Sequence, residues 1–512
     1  MKYALPLTLA GALLAQGCSA LWLLPTARNF IYIVPDGYGP ASQTMARDYV
    51  SLLQNGENPK APVSIQLPAD QMVIGSVRTQ ASNNLITDSA ASATAFGCGV
   101  KTYNNAIAVD DDGQPVGSIL EAAKMEGFKT GLVVTSTINH ATPACYAAHV
   151  ADRNSYEKIA EHEIGYSHPL GPQVDILMGG GRCYFKPKSD PTSCREDDID
   201  LFGYAKGKGY RVMQDRKAFD ELKKGTAKAA DLPYIGLFND GETFSSTNRC
   251  EADGNPDQMM YEIDRQQNPQ QEPSLLEMVE TALTSLDRAT KWNVKGYFLM
   301  IEASRIDHAG HANDAVGHLH DTIMYNNVMK YVREWIDKHP DTMMLSAADH
   351  ECGGLTLNGF NPLPLQGASM STEHAETLWK NYNGTDRRAY LRSTILPGYG
   401  LGDLSEADVD TLLKNNRLAA DLSSRLSKKA GVNWSTGGHT ASDITLFGYG
   451  AGWRGGNLKS DMAGNWDNTQ LPGYIEGVLK VKMSKVTEKL RKAGSAWVGK
   501  RDLTSHGHLH KH

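Results

Sequence analysis

Basic charge is in short supply in this sequence: 51 Lys and Arg stand against 58 Asp and Glu in 512 residues, a formal net charge of −7. That leaves no electrostatic footprint for nucleic acid, and no nucleic-acid-binding module is expected. Internal repeats are also missing. With 41% hydrophobic and 21% charged residues the composition is that of a globular protein, so disorder as the main state is excluded. The length allows several domains of about 100 to 200 residues, or one large α/β domain carrying insertions.

Charge is absent altogether between Lys2 and Arg28, where Leu5, Leu7, Leu9, Leu13 and Leu14 lead into Gln16-Gly-Cys-Ser-Ala20. This outlines a signal peptide over residues 1–20, cleaved after Ala20, and a secreted protein. Two alternatives remain at this point. Adding Leu21 to Leu24 gives a run long enough for an uncleaved anchor to about residue 27. Leu14-Ala-Gln-Gly-Cys18 is also a bacterial lipobox with Ala15 where Leu is preferred. Membrane-anchored, vacuolar and periplasmic locations correspond to these alternatives.

Cysteines are few, seven in all, and six without Cys18. Cys183 and Cys194 bracket a short Pro- and Ser-containing loop that a disulfide would staple. Cys98, among small apolar residues, reads as a buried free thiol. Asn383-Gly-Thr385 and Asn433-Trp-Ser435 would accept N-glycans in a eukaryotic secretory pathway.

What the sequence does have is a recurring pattern: a short apolar run that stops at an acidic or metal-binding side chain. Phe30-Ile-Tyr-Ile-Val34 precedes Asp36; Gly131-Leu-Val-Val134 leads to His140 and Thr142; Tyr297-Phe-Leu-Met-Ile301 ends at Glu302; Thr342-Met-Met-Leu345 leads to Asp349-His350. Continuous apolar runs fit strands buried on both faces, and helical patterns at 118–125, 274–286 and 314–338 lie between them. The fold class is α/β with a mostly parallel sheet, and ligands of such sheets bind beyond the carboxyl ends of the strands. Residues 355–435, rich in Gly, Pro and Asn, read as an irregular insertion with a helix near 405–425, followed by a strand at Ile444-Thr-Leu-Phe447. The tail at 501–512, with alternating His, reads as solvated.

Asp307 and His311 lie four residues apart, on one face if helical, which is a workable bite for zinc. Asp349-His350 adds an oxygen and a nitrogen, and His439, in a Gly-rich loop, adds a third imidazole. With Asp36 these suffice for two zinc ions, while Glu302 and Thr142 supply hard oxygens suited to magnesium. Thr87-Asp-Ser-Ala-Ala-Ser-Ala-Thr-Ala95 lets Asp88 cap a helix whose first turn presents Ser89. No Gly-x-Ser-x-Gly elbow surrounds that serine, so a triad hydrolase is disfavoured and metal activation is the alternative.

Asp36-Gly-Tyr-Gly39, Thr87 to Ala95, Asn139-His-Ala-Thr-Pro143, Ala151-Asp-Arg153, Glu302-Ala-Ser-Arg-Ile-Asp-His-Ala-Gly-His311, Ala348-Asp-His350 and Gly437-Gly-His439 together resemble the ordered motifs of the alkaline phosphatase family, closest in wording to its fungal branch. The resemblance implies a large central sheet with helices on both faces, a catalytic domain over 29–500, and a crown-like insertion at about 355–435. It implies a homodimeric enzyme that hydrolyses phosphate monoesters, releases inorganic phosphate and passes through a phosphoserine at Ser89. Asp307, His311 and His439 would hold one zinc; Asp36, Asp349 and His350 the second; Asp36, Thr142 and Glu302 the magnesium. Arg153 would grip the phosphate with Asp88 orienting it. His140 and His308 stand where some members carry Asp and Lys and others His at both; this chain follows the His type, and a His at 140 would favour a third zinc or shift magnesium affinity. Asn239 stands where a calcium site would want a carboxylate. A sulfatase would need Cys or Ser followed by x-Pro-x-Arg, which Ser89-Ala-Ala-Ser-Ala93 does not offer.

Overall fold

A computed structural model describes residues 26–223, 232–239 and 258–499. The expected signal peptide or anchor, the tail at 501–512 and Cys250 lie outside the described residues.

The apolar runs form strands. They are β1 (Asn29–Pro35), β2 (Val73–Arg78), β3 (Lys129–Thr137), β4 (Ile176–Gly180), β5 (Arg211–Met213), β6 (Tyr234–Leu237) and β7 (Tyr297–Ala303). After these come β8 (Thr342–Ala347), β9 (Glu351–Cys352), β10 (Leu355–Leu357), β11 (Val432–Trp434), β12 (His439–Thr440), β13 (Ile444–Gly450) and β14 (Gly464–Asp467). Ten strands make one sheet in the order β14-β2-β13-β8-β1-β7-β3-β4-β6-β5. Only β13 runs against its neighbours; every other pairing is parallel. Every residue of β1, β7 and β8 is buried, which is why these runs show no polar alternation. Each large apolar side chain so buried contributes about 1.5–3 kcal/mol relative to exposure.

Helices pack around the sheet and begin where their caps dictate. Ser118 and Glu121 form a capping box on the helix Ile119–Met125, Ser274 and Glu277 do the same for Leu275–Thr290, and Asp314 caps Ala315–Lys338. In Leu275–Thr290 the buried Leu275, Met278, Val279, Ala282, Leu283 and Leu286 fall on one stripe. No helix among the described residues is long and apolar enough to cross a membrane.

The 355–435 segment is more ordered than its composition suggests. It contains the helices Thr372–Asn381, Glu406–Lys414 and Leu418–Ala430, packed with Leu365, Leu391, Ile395, Leu396 and Tyr399 into a second apolar core. Its Gly, Pro and Asn residues sit between these elements. The single helix expected near 405–425 is two, divided at Asn415-Asn-Arg417. Cys183 and Cys194 are bonded, with Cα atoms 5.0 Å apart, whereas Cys98, Cys145 and Cys352 are free and buried. Asn383 and Asn433 are exposed.

Candidate active site

Strands β8, β1, β7 and β3 are consecutive neighbours at the centre of the sheet. Parallel strands place the residues that follow them at one edge. Asp36 follows β1, Glu302 sits near the end of β7, Asp349 and His350 follow β8, and His140 and Thr142 follow β3. Gly37, with φ +72°, makes the turn after Asp36, and a Cβ built on it would lie 2.4 Å from the Cα of Asp307. Only glycine allows that approach. The Gly37 amide also donates to Asp349 Oδ1 at 3.2 Å.

The helix Arg305–His311 brings Asp307 Oδ2 within 3.3 Å of His311 Nε2. β12 pairs with β9, setting His439 opposite Cys352. His439 Nε2 then lies 3.1 Å from His311 Nε2 and 3.6 Å from Asp307 Oδ1. Carbonyl oxygens of Gly437 and Thr87 accept from the Nδ1 atoms of His311 and His439, at 2.7 and 2.9 Å. Those bonds put the proton of each neutral ring on Nδ1 and turn two Nε2 lone pairs toward each other, an arrangement that a cation between them stabilises. Ligand atoms of Asp307, His311, Cys352 and His439 all fall within 4.8 Å of one another, as do those of Asp36, Asp307 and His350. His350 stacks on His439 at 3.4 Å, and its Nε2 is 3.1 Å from Asp349 Oδ2. Asp307 therefore faces both groups, where the sequence had given it to one.

Both carboxylate oxygens of Asp36, Thr142 Oγ1 and Glu302 Oε1 are buried without a hydrogen bond of good geometry. Asp36, Glu302, Asp307 and Asp349 are each at most 3% exposed. Burial and the neighbouring Asp349 push Asp36 well up, and the same two causes bring Glu302 to about 7. Burial alone would raise Asp307 too, but His311 and His439 pull it well below the usual carboxylate range. So many buried carboxylates repel unless cations join them. The mixed nitrogen and oxygen set suits zinc, and the oxygen-only group of Asp36, Thr142 and Glu302 suits magnesium.

Ser89 opens the helix Ser89–Cys98, and its Oγ is 3.2 Å from His350 Nε2. Asp88, the cap, accepts from Ala91 N through Oδ1 at 2.9 Å, and from Asn105 N and Arg153 Nη1 through Oδ2 at 2.9 and 3.1 Å. Its two oxygens thus tie the start of the serine's helix to a buried guanidinium. Arg153 Nη2 lies 3.2 Å from His140 Nε2. Burial works against the Arg153 charge, but Asp88 outweighs it and the group stays protonated. His308, its ring 5.7 Å from that of His140, is held neutral by burial and by Arg305. The structure brings all thirteen residues singled out in the sequence to this one edge.

The alkaline phosphatase family model matches residues 27–481. The chain belongs to the alkaline phosphatase family. An alkaline phosphatase of Schizosaccharomyces pombe is 39% identical over 90% of this chain and 83% of its own length. The repressible alkaline phosphatase of Saccharomyces cerevisiae is 35% identical over 91% of this chain and 83% of its own. The crystal structure of the Thermus thermophilus alkaline phosphatase superposes with a TM-score of 0.72 at 26% identity, covering 96% of this chain and all of that one. The chain is accordingly a phosphatase of phosphate monoesters, in a metal-dependent family.

Sequence reasoning missed two residues of this alkaline phosphatase site. Cys352 joins the Asp307 group only through the pairing of β9 with β12, which no local spacing announces. Arg305, nearly fully buried, contacts His308 from behind. A second buried group, Glu121, His149 and His168, looks superficially like a metal site. His149 donates from Nδ1 to Ala108 O at 2.9 Å and its Nε2 is 3.1 Å from Glu121 Oε1. His168 accepts the Leu170 amide at Nδ1, so its proton is on Nε2, 3.1 Å from the same carboxylate oxygen. Two ring nitrogens thus converge on one buried carboxylate oxygen, under Trp497 at 5.4 and 5.6 Å from the two rings.

Proposed function

We propose that this chain is an exported, homodimeric alkaline phosphatase that works through a phosphoserine at Ser89 with two zinc ions and one magnesium ion. The observation that carries the reading is Ser89 at a helix start, 3.2 Å from His350, with the capping Asp88 bound to Arg153. Asp307, His311 and His439 hold one zinc, Asp36, Asp349 and His350 the other, and Asp36, Thr142 and Glu302 the magnesium. His140 beside the third position can shift that preference toward zinc. When bound, these ions lower the pKa of a hydroxyl and offset negative charge on the phosphoryl and leaving oxygens.

The chain's own residues do the rest. Arg153 binds two phosphoryl oxygens with its planar fork and fixes phosphorus over Ser89. Asp88 keeps that fork and the serine in register because one carboxylate holds both. Ser89 Oγ attacks in line as the ester oxygen leaves opposite, and water then opens the phosphoserine from the vacated side. The orientation of the N-H groups at the helix start favours the anion throughout. Secretion, with glycans at Asn383 and Asn433, is consistent with the charge-free N-terminal segment and the Cys183–Cys194 bond.

Acid quenching of the enzyme with radiolabelled inorganic phosphate tests the nucleophile. Covalent label is expected on the wild type and none on Ser89→Ala, whose turnover should fall by several orders of magnitude with metal content unchanged. Near-normal turnover in that variant would overturn the assignment.

A further inference from the structure

Arg305 lies one turn behind the site. It is 2% exposed, and its guanidinium carbon sits 3.9 Å over the ring of Tyr261. Nη2 donates to both oxygens of Glu373, at 2.8 and 2.7 Å, and Nη1 lies 2.7 Å from His308 Nδ1. Arg305 is buried but Glu373 is 43% exposed, and an ion pair with one partner at the surface adds only about 0–1 kcal/mol, so stability alone gives it little purpose. Its geometry does. A guanidinium only donates, so Nδ1 must accept and His308 carries its proton on Nε2. That leaves Nε2–H as the only donor of the ring, whose centroid lies 5.7 Å from that of His140, the residue in contact with Arg153 Nη2 at 3.2 Å.

Glu373 belongs to the 355–435 segment, and its position is fixed by the fold. It lies in the first turn of the helix Thr372–Asn381, whose cap Ser371 accepts from His374 N at 3.0 Å. Thr372 N donates to Asp314 Oδ2 at 2.7 Å, and Ser371 N donates to Asp264 Oδ1 at 2.8 Å. The inserted segment is thereby anchored to the catalytic domain at the point where Glu373 meets Arg305.

Taking the phosphate site as read above, we propose that Arg305 and Glu373 are positioning residues that hold His308 as an Nε2–H donor toward the phosphoryl group gripped by Arg153. Through them the inserted segment sets the phosphate affinity of the active site. Neither residue touches substrate. Both act through the orientation and tautomer of one imidazole, and a bound phosphoryl oxygen gains one more N–H donor.

The test is a double-mutant cycle on the metal-loaded enzyme, with p-nitrophenyl phosphate as substrate and inorganic phosphate as inhibitor. Glu373→Gln is the main variant, because its side chain is 43% exposed and the change keeps its shape. It should raise KM and the phosphate inhibition constant together by roughly 3- to 10-fold, with kcat changed less. In a His308→Gln background the same change should have no further effect. Selective 15N-histidine labelling, with His308 identified by its missing signals in His308→Gln, should show a single Nε2–H tautomer in the wild type and a mixture in Glu373→Gln. Equal effects of Glu373→Gln in both backgrounds, no effect in either, or a wild-type His308 protonated on Nδ1 would each overturn the proposal. The tautomer is read without turnover, so an active Ser89→Ala would overturn the nucleophile and leave this result standing.

Discussion

Gly37 and Asp307 touch backbone to backbone: a Cβ on the glycine would stand 2.4 Å from the Asp307 Cα, and its φ of +72° disfavours any other residue. The turn after β1 and the helix Arg305–His311 are thus pressed together at a point where no side chain fits, and this contact sets Asp36 against Asp307. Gly37→Ala should part the two elements, lowering both zinc content and activity by at least about tenfold. Gly113 has the same φ of +72° with nothing near its missing Cβ. Gly113→Ala should cost only about 1–2 kcal/mol of stability and keep its metals. Metal analysis and thermal unfolding of both variants check the contrast; equal metal loss in the two would show that backbone strain, not the close approach, is the cause.

Arg153→Ala should raise KM and weaken inhibition by inorganic phosphate together, with a smaller effect on turnover where product release limits the rate. A diester has one fewer charged oxygen for the guanidinium fork, so preference for monoesters over diesters should narrow. Measuring both ester types on one preparation decides the point. An unchanged preference with unchanged phosphate affinity would reduce the Asp88–Arg153 pair to a structural salt bridge.

The ligand sets predict separable losses. His439→Ala should remove one zinc and leave the oxygen-only group loaded, whereas Glu302→Ala should mainly weaken magnesium. Cys352→Ser gives a finer check, because the sulfur lies within the Asp307, His311 and His439 group. Cobalt substitution should show whether its sulfur binds the ion, through a charge-transfer band that vanishes in the serine variant. Elemental analysis that found both zincs lost and magnesium kept in Glu302→Ala would contradict the division.

Glu121 is a separate matter of stability. Burial would raise its pKa, but His149 and His168 hold it well below the usual carboxylate range. A carboxyl depressed on folding stabilises above its unfolded pKa and loses that contribution as pH falls through the folded value. Glu121→Gln keeps an oxygen for the Ser118 amide but removes the charge, and should cost about 3–5 kcal/mol at neutral pH. The gap in Tm between wild type and variant should close as pH falls below about 4. A gap that stayed constant from pH 7 to pH 3 would mean that the carboxylate is not the stabilising form.

Much of this was legible in the residues. β1, β7 and β8 are buried on both faces, so each had to be continuously apolar, and a parallel sheet then dictated that Asp36, Glu302 and Asp349 share an edge. The Asp88 cap announced the helix that presents Ser89. Other features depend on contacts that no local pattern encodes. Cys352 enters the site through one antiparallel pairing with His439, and nothing local in the sequence marks Arg305 for the contacts that Glu373 and Tyr261 make with it. The helices of residues 355–435 were hidden because turn-forming Gly, Pro and Asn separate them so closely that no window shows a clean period.

Chain order also sets an order of assembly. β13 lies between β2 and β8, yet it is synthesised after the whole 355–435 segment. Until it arrives, β8 keeps an open hydrogen-bonding edge and β2 has nothing through which to join the sheet, while β14, made later still, can pair with β2 only afterwards; such edges pair readily with other chains. His439 comes immediately before β13, so sealing the edge and completing the His311–Asp307–His439 group are one late event. An incomplete or locally opened molecule is therefore adhesive and metal-deficient at once, and loss of zinc should mark the same molecules that aggregate.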